Sequence, residues 1–342
     1  MSNGTRRRRR RDRTYAQYAV VMLGRQRVFR DRLNPLEEFD DDALQQRFRF
    51  GRAGIKFLAE TLRPDLQRST RRSCALSAEQ QVIVALQFYA TGNFLITAGD
   101  YVHVQVSSAS RSVRQVTVAL ARRARDFIRA ALQEQFFDVA GFPCVVGAVD
   151  GTHIRIQGPC VHEEVYVNRH LYHSINVQVV VDASCRIRNV AARRPGSTHD
   201  SRIFTESTLP IKLADGVYDG LLLGDSGYTC QPWLMTPFLS PSSAAEVRYN
   251  TAHTKTRSIV ERTIGQLKRR FHCLHAVLRM EPSRCCVIIV ACCVLHNLAK
   301  RYPCAMPGTA IPPEVHVEPM AAGRGESNEA RNALVNKFVC VA

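Results

Sequence analysis

Near Phe142 the chain changes its hydrophobic period, and that change constrains the fold more than any other feature. Before it, from about residue 40 to 140, apolar residues recur at spacings of three and four. Phe50, Ile55, Leu58 and Leu62, and again Val82, Leu86 and Tyr89, repeat as helices with one buried face do. After it come short runs dense in Val and Ile: Cys144 to Val149, His153 to Gln157, Asn176 to Val181 and Ile187 to Ala192. These read as strands. A helix near Asp200 to Ser207 is expected next, then a short buried strand, Leu221 to Leu223, and a loop punctuated by Pro232, Pro237 and Pro241. A long helix from about Ala244 to His272 and an apolar one over Cys285 to Leu298 complete the pattern. The expected class is α/β, preceded by an all-helical region.

The change of texture divides the 342 residues into a basic arm (1–35), a helical domain (36–140), an α/β domain (141–300) and a flexible tail (301–342) rich in Pro, Gly, Ala and Glu. In the helical domain, Val82 to Tyr89, the turn Thr91-Gly92-Asn93, Phe94 to Tyr101, and Ser107 to Leu120 opened by a serine cap resemble a helix-turn-helix. That reading turns Ser108, Arg111, Arg114 and Gln115 to a DNA groove and Val113, Val116 and Leu120 to the core. A plain supporting bundle fits the same pattern, because helix pairs are common.

Charge points to a polyanionic partner. Forty-seven Lys and Arg against 30 Asp and Glu leave +17. Eleven Arg against Asp12 and Asp31 in residues 1–32 hold over half of that excess, six of them in the run Arg6 to Arg11. Such an arm reads as a nuclear-import signal, a phosphate-binding tail or a solvated terminus. No apolar run near the roughly 18 residues of a membrane span is apparent, so a soluble intracellular protein is expected. The twelve cysteines lie in apolar surroundings, around Cys144 and from Cys285 to Cys293, and read as buried thiols. Cys285, Cys286, Cys292, Cys293 and His296 lack the spacing of a structural zinc site, and no nucleophilic triad or nucleotide-binding glycine loop is present.

Three carboxylates carry the chemistry. Asp150 is expected to close the strand Val145 to Val149 and Asp225 to end Leu221 to Gly224, so adjacent strands would bring the two together. Glu261 borders the apolar stripe Val260, Ile264, Leu267, Phe271 and Leu274 of the long helix. Alone, an Asp at a strand end is more often a turn-former. Together they would repel unless cations stood between them, and hard oxygen donors suit Mg²⁺ or Mn²⁺. On the same helix Lys255, Arg257, Arg262, Lys268, Arg269 and Arg270 read either as a DNA-binding surface or as a solvated face.

Five segments resemble the Harbinger transposase-derived nucleases, domesticated relatives of PIF/Harbinger DDE transposases. They are Val146 to Ile156 (VGAVDGTHIRI), Val167 to Val181 (VNRHLYHSINVQVVV), Pro195 to Phe204 (PGSTHDSRIF), Leu222 to Tyr228 (LLGDSGY) and Ser258 to Phe271 (SIVERTIGQLKRRF). Weaker similarity reaches back to Arg30 to Leu33. The resemblance implies an RNase H-like domain, a mixed sheet flanked by helices, with the family's three acids on Asp150, Asp225 and Glu261. It also implies a metal-dependent DNA endonuclease without autonomous transposition, found in the nucleus and also the cytoplasm. A Myb-like DNA-binding protein is the implied partner, and self-association is left open. A DNA-binding adaptor that keeps the fold without cutting is the alternative. The family's His-Asp pair falls on His199 and Asp200, read as a helix cap in preference to a further metal contact. Where relatives read Asn-Arg-Lys-Gly-Tyr, this chain has Asn168-Arg169-His170-Leu171-Tyr172, with Leu in place of Gly.

Overall fold

The computed structural model describes residues 33–67, 75–128, 136–302 and 328–337. The Arg6 to Arg11 run lies outside them. The chain divides into two units, Met1–Leu33 and Asn34–Ala342, and every described helix and strand belongs to the second.

Five strands form one sheet in the order β3-β2-β1-β4-β5: β1 Val145–Arg155, β2 Ser174–Val181, β3 Ile187–Pro195, β4 Leu221–Leu223 and β5 Leu234–Met235. β1, β2 and β3 make an antiparallel meander, whereas β4 and β5 run parallel to β1. The sheet is therefore mixed, as expected. β1 corrects the sequence reading in one respect: the two runs on either side of Asp150 are a single strand of 11 residues, and Asp150 lies within it. The strand continues because β2 pairs with it on both sides of Asp150, from Ala148↔Val181 to Arg155↔Ser174. Asp150 instead marks where the shorter β4 stops on the other side.

Ahead of the sheet come α1 (Asp41–Phe48), α2 (Arg52–Leu66), α3 (Ala78–Thr91), α4 (Leu95–Asp100) and α5 (Val106–Arg122), with one single turn before them and two after. α3 is buried along nearly its whole length, begins with a Ser77/Gln80 capping box and ends at Gly92 in the left-handed conformation. On α5, Val113, Val116 and Leu120 are buried and Arg111 and Arg114 exposed, as read from the sequence. Its expected serine cap is not made: the helix starts at Val106, after Gln105, with no capping side chain.

After β3 follow α6 (Asp200–Thr205), α7 (Leu209–Ala214), the 27-residue α8 (Ala244–Arg270), α9 (Pro282–Arg301) and α10 (Asn328–Lys337). A large core joins residues of α1–α5, one face of the sheet, α8 and α9. A smaller one packs Val146, Val149, Val180 and Leu222 on the sheet's other face against Phe204, Leu209 and Leu213 of α6 and α7. The textural break at Phe142 is thus a change of secondary structure within one packed unit.

Two expectations change. By length and composition α9 could cross a membrane, contrary to the sequence reading. It serves as a core helix, with Ile288, Ile289, Cys292, Cys293, Leu295 and His296 buried. Part of the expected tail is helical: Leu334 and Val335 of α10 are buried, and the Arg331 guanidinium lies 4.0 Å over the Phe238 ring. Cys144 is exposed, unlike the thiols of α9. Asn297, at the foot of α9, pins the start of β3 by accepting from the Ile187 amide and donating to its carbonyl.

Candidate metal and DNA-cleavage site

Parallel pairing sets Ala148 of β1 opposite Leu223 of β4, and two residues beyond each stands an aspartate, Asp150 and Asp225. Adjacent strands bring these acids to the same end of β4, as the sequence implied. Gly224 lies between because a Cβ there would meet the Tyr228 ring at 3.0 Å.

The sheet's alternation assigns the flanking groups to opposite faces. Asp150 turns to α8, where its Oδ2 accepts from Arg257 at 3.3 Å. The next residue, Gly151, turns the other way, and there the Asp200 carboxylate fills the space a side chain would take. A Cβ on Gly151 would come within 2.4 Å of Asp200 Oδ1. Asp200 is held by Asn176 Nδ2, which donates to its Oδ1 at 2.6 Å, while Gln178 Nε2 donates to its backbone oxygen and to the Tyr228 hydroxyl. His199 stands at the cap position of α6 with no side-chain cap bond. Asp200 does stand in the first turn of α6, as the cap reading has it, but makes no cap bond, and its charge also acts on Asp150 and Asp225.

The electrostatics agree with this grouping. Burial pushes the Asp150 carboxyl up to about 7, against the pull of Arg257 and with help from Asp225 and Asp200. Burial also raises Asp225, with Arg257 opposing and Asp200 adding, and raises Asp200 itself. Tyr228 is raised well above its ordinary value by burial, then by the same three aspartates. Burial is the first cause at each of these groups, and Arg257 is the main opposing cation at Asp150 and Asp225.

Glu261 is present on α8 but engaged: its carboxylate pairs with the Arg257 guanidinium one helical turn earlier. Among the described residues no three His, Cys, Asp or Glu side chains are gathered closely enough to hold a metal ion. The donor set still fits a hard divalent cation in its chemistry, because the acids are oxygen donors and a cation would favour the charged form of the raised Asp150 and Asp225 carboxyls.

The expected basic surface of α8 separates into inward and outward members. Arg257 turns into the acids, and Arg270 is buried near α1, its carbonyl accepting from Arg49. Lys268 reaches back to the His153 carbonyl of β1. Lys255, Arg262 and Arg269 are exposed, and Arg248 joins them at the same seven-residue interval. On α5, Arg111 and Arg114 line a groove of about 380 Å³ with Asp65, Gln115 and Arg122. The zinc alternative finds no metal-holding group among the described residues; Cys273 and Cys292 touch at 3.8 Å in the core and His296 bonds the Cys185 carbonyl.

Sequence reasoning missed Asn176, Gln178, Tyr228 and the inward turn of Arg257. Asn176 and Gln178 left a trace: on a strand whose every position is buried, polar residues two apart on one face require partners. Nothing comparable marks Arg257, whose direction depends on how α8 lies over the sheet.

Residues 149–297 match the family described as DDE superfamily endonuclease. The chain is 39% identical over 292 residues to "Putative nuclease HARBI1" of Mus musculus, covering 82% of this chain and 83% of the relative. It is 36% identical over 334 residues to the Homo sapiens protein of the same name, covering 92% and 95%. The Arabidopsis thaliana protein "Antagonist of like heterochromatin protein 1" is 27% identical over 290 residues, covering 76% and 73%. No solved structure matches. By these similarities the chain belongs to the Harbinger transposase-derived family of DDE superfamily endonucleases.

Proposed function

We propose that the chain is a divalent-metal-dependent endonuclease that hydrolyses phosphodiester bonds in DNA, with Asp150, Asp225 and Glu261 as catalytic ligands and an RNase H-like domain as their frame. The observation that carries this reading is the parallel β1–β4 register, which sets two aspartates side by side with Glu261 one helix away. Asp200 supports them from behind Gly151. Mg²⁺ or Mn²⁺ bound there would supply an activated water and stabilise the leaving oxygen. The residues' own task is to hold oxygen donors on a rigid strand and helix, where misplacement is costly. Asn176 and Gln178 restrain Asp200 and Tyr228 so that the acid cluster keeps its spacing.

DNA would lie along the exposed row of α8 and the Arg111/Arg114 face of α5, both of which offer cations to phosphate. A nuclear setting and a Myb-like partner are part of this proposal, and the described residues assign no docking surface to either. The test is nicking of supercoiled plasmid by the full chain with Mg²⁺ or Mn²⁺. The parent is expected to nick and Asp150→Asn to lose about 10³-fold or more in rate, several kcal/mol of lost transition-state stabilisation. Equal cleavage by both proteins would sink the assignment.

The DNA-binding adaptor is the second reading, favoured by the way Arg257 already compensates two of the acids. Unchanged DNA affinity in Asp150→Asn, with no cutting by either protein under any divalent ion, would select it.

A further inference from the structure

We propose that Arg257 is the resident counter-cation of the acid site and that a divalent metal ion enters by exchanging with it. The inference rests on the reading of Asp150, Asp225 and Glu261 as metal ligands. It concerns what occupies their midst before the metal does.

The Arg257 side chain is only 18% exposed and donates both to Asp150 Oδ2 and to Glu261 Oε1. Those oxygens belong to different elements, β1 and α8, so one guanidinium joins the strand acid to the helix acid. Asp225 also lies within its field. A guanidinium cannot shed its proton to make room, and its planar fork suits two carboxylates at once. A divalent ion arriving beside it would meet both its positive charge and two ligands already engaged. Binding and the Arg257 bridge therefore exclude one another.

An ordinary buried salt bridge is the competing explanation, and the charge balance weighs against it. Four carboxyl groups, Asp150, Asp225, Glu261 and Asp200, gather here; Arg257 bonds Asp150 and Glu261 and acts on Asp225 through its field, with Arg169 and His199 acting on the cluster through theirs. A bridge formed only to stabilise the fold would be closer to neutral. Arg257 stands one helical turn before Glu261, so a rotamer change suffices to release both acids while keeping the guanidinium near the site. There it would meet the phosphate that the metal also contacts.

The experiment is calorimetric titration of Mn²⁺ into the full-length chain, with no DNA present, paired with thermal unfolding in EDTA. Arg257→Gln is expected to bind Mn²⁺ at least tenfold more tightly than the parent and to melt lower in EDTA, with the gap closing when Mn²⁺ saturates both. Lys255→Gln removes one positive charge from the exposed face of the same helix and is expected to change affinity less than twofold. Arg257→Lys keeps the charge without the fork and is expected to tighten binding by a smaller amount, which tests the idea should the Gln variant not fold. Unchanged or weaker Mn²⁺ binding in the Arg257 variants overturns the exchange, as does equal tightening in Lys255→Gln. Mn²⁺ binding to none of the proteins overturns the metal reading together with it, whereas equal binding by all leaves that reading standing and removes only the exchange.

Discussion

Ala148 and Leu223 are register partners in parallel strands, and that pairing puts Asp150 and Asp225 at one height beside each other. Asp225 also opens a turn, its Oδ1 accepting from the Gly227 amide, whereas Asp150 lies within a strand. Asp150 is flanked by antiparallel pairing to β2, so its backbone is fixed on that side while β4 ends on the other. The strand end that matters is that of the neighbour, and it opens the space the carboxylates share.

Asp150 makes metal-free stability depend on pH in a definite direction. Its carboxyl stands near 7 in the fold, against 3.8 in the unfolded chain. The folded protein therefore holds a proton that the unfolded chain releases, and this contribution to stability is full below pH 4 and lost as pH rises to about 7. A shift of that size is on the order of 4 kcal/mol. Asp150→Asn cannot lose it, so in EDTA the stability of the variant relative to the parent should rise between pH 4 and pH 8 and level off above. Urea unfolding of both proteins at each pH measures the difference directly; a difference that does not move with pH would contradict the assigned shift.

Leu171 sits at the tip of the β1–β2 connection with φ +61° and 87% exposure. This is the position where the family's usual motif has glycine, and left-handed backbone costs a residue with a branched side chain roughly 1 kcal/mol or more. The turn survives the replacement because Asn168 Oδ1 accepts from the His170 and Tyr172 amides and the Asn168 carbonyl accepts from Leu171. Leu171→Gly gives up almost no packing, so relief of strain should outweigh the extra freedom of the unfolded chain, by about 0.5–1 kcal/mol net. A raised melting temperature is expected, and a lowered one would show that the exposed leucine has a structural partner.

The fold was legible where periodicity was long and unmixed. β4, at only three residues, was readable because Leu221-Leu222-Leu223 is bounded by glycines on both sides. β5 was not, since two residues carry no period, and it exists through pairing to β4. That Asp150 and Asp225 stand on neighbouring strands is readable in the sequence, whereas Asp200 reads there only as a helix cap because local preference cannot reveal that Gly151 leaves a hole for its carboxylate. Arg257 and Arg270 looked like members of one basic face because counting charges along a helix ignores which side meets the sheet. The structure divides that face by burial, with Lys255, Arg262 and Arg269 exposed and Arg257 and Arg270 turned inward.

That separation makes a quantitative statement about DNA. Arg248, Lys255, Arg262 and Arg269 recur every seven residues on α8, so they form a row drifting about 20° per step, with neighbours roughly 10 Å apart along the axis. If duplex DNA follows this row, each cation that meets a phosphate releases counterions and adds about 0.9 to the slope of log affinity against log salt. A triple variant, Lys255→Gln with Arg262→Gln and Arg269→Gln, should lower that slope by about 2 to 3 for a duplex of roughly 30 base pairs and arbitrary sequence. Arg114→Gln on α5 reports independently on the second face, with an expected change of about 1. Fluorescence anisotropy in EDTA at several salt concentrations reads both without interference from cleavage. A triple variant whose slope equals the parent's would remove α8 from the DNA path and leave α5 as the surface to pursue.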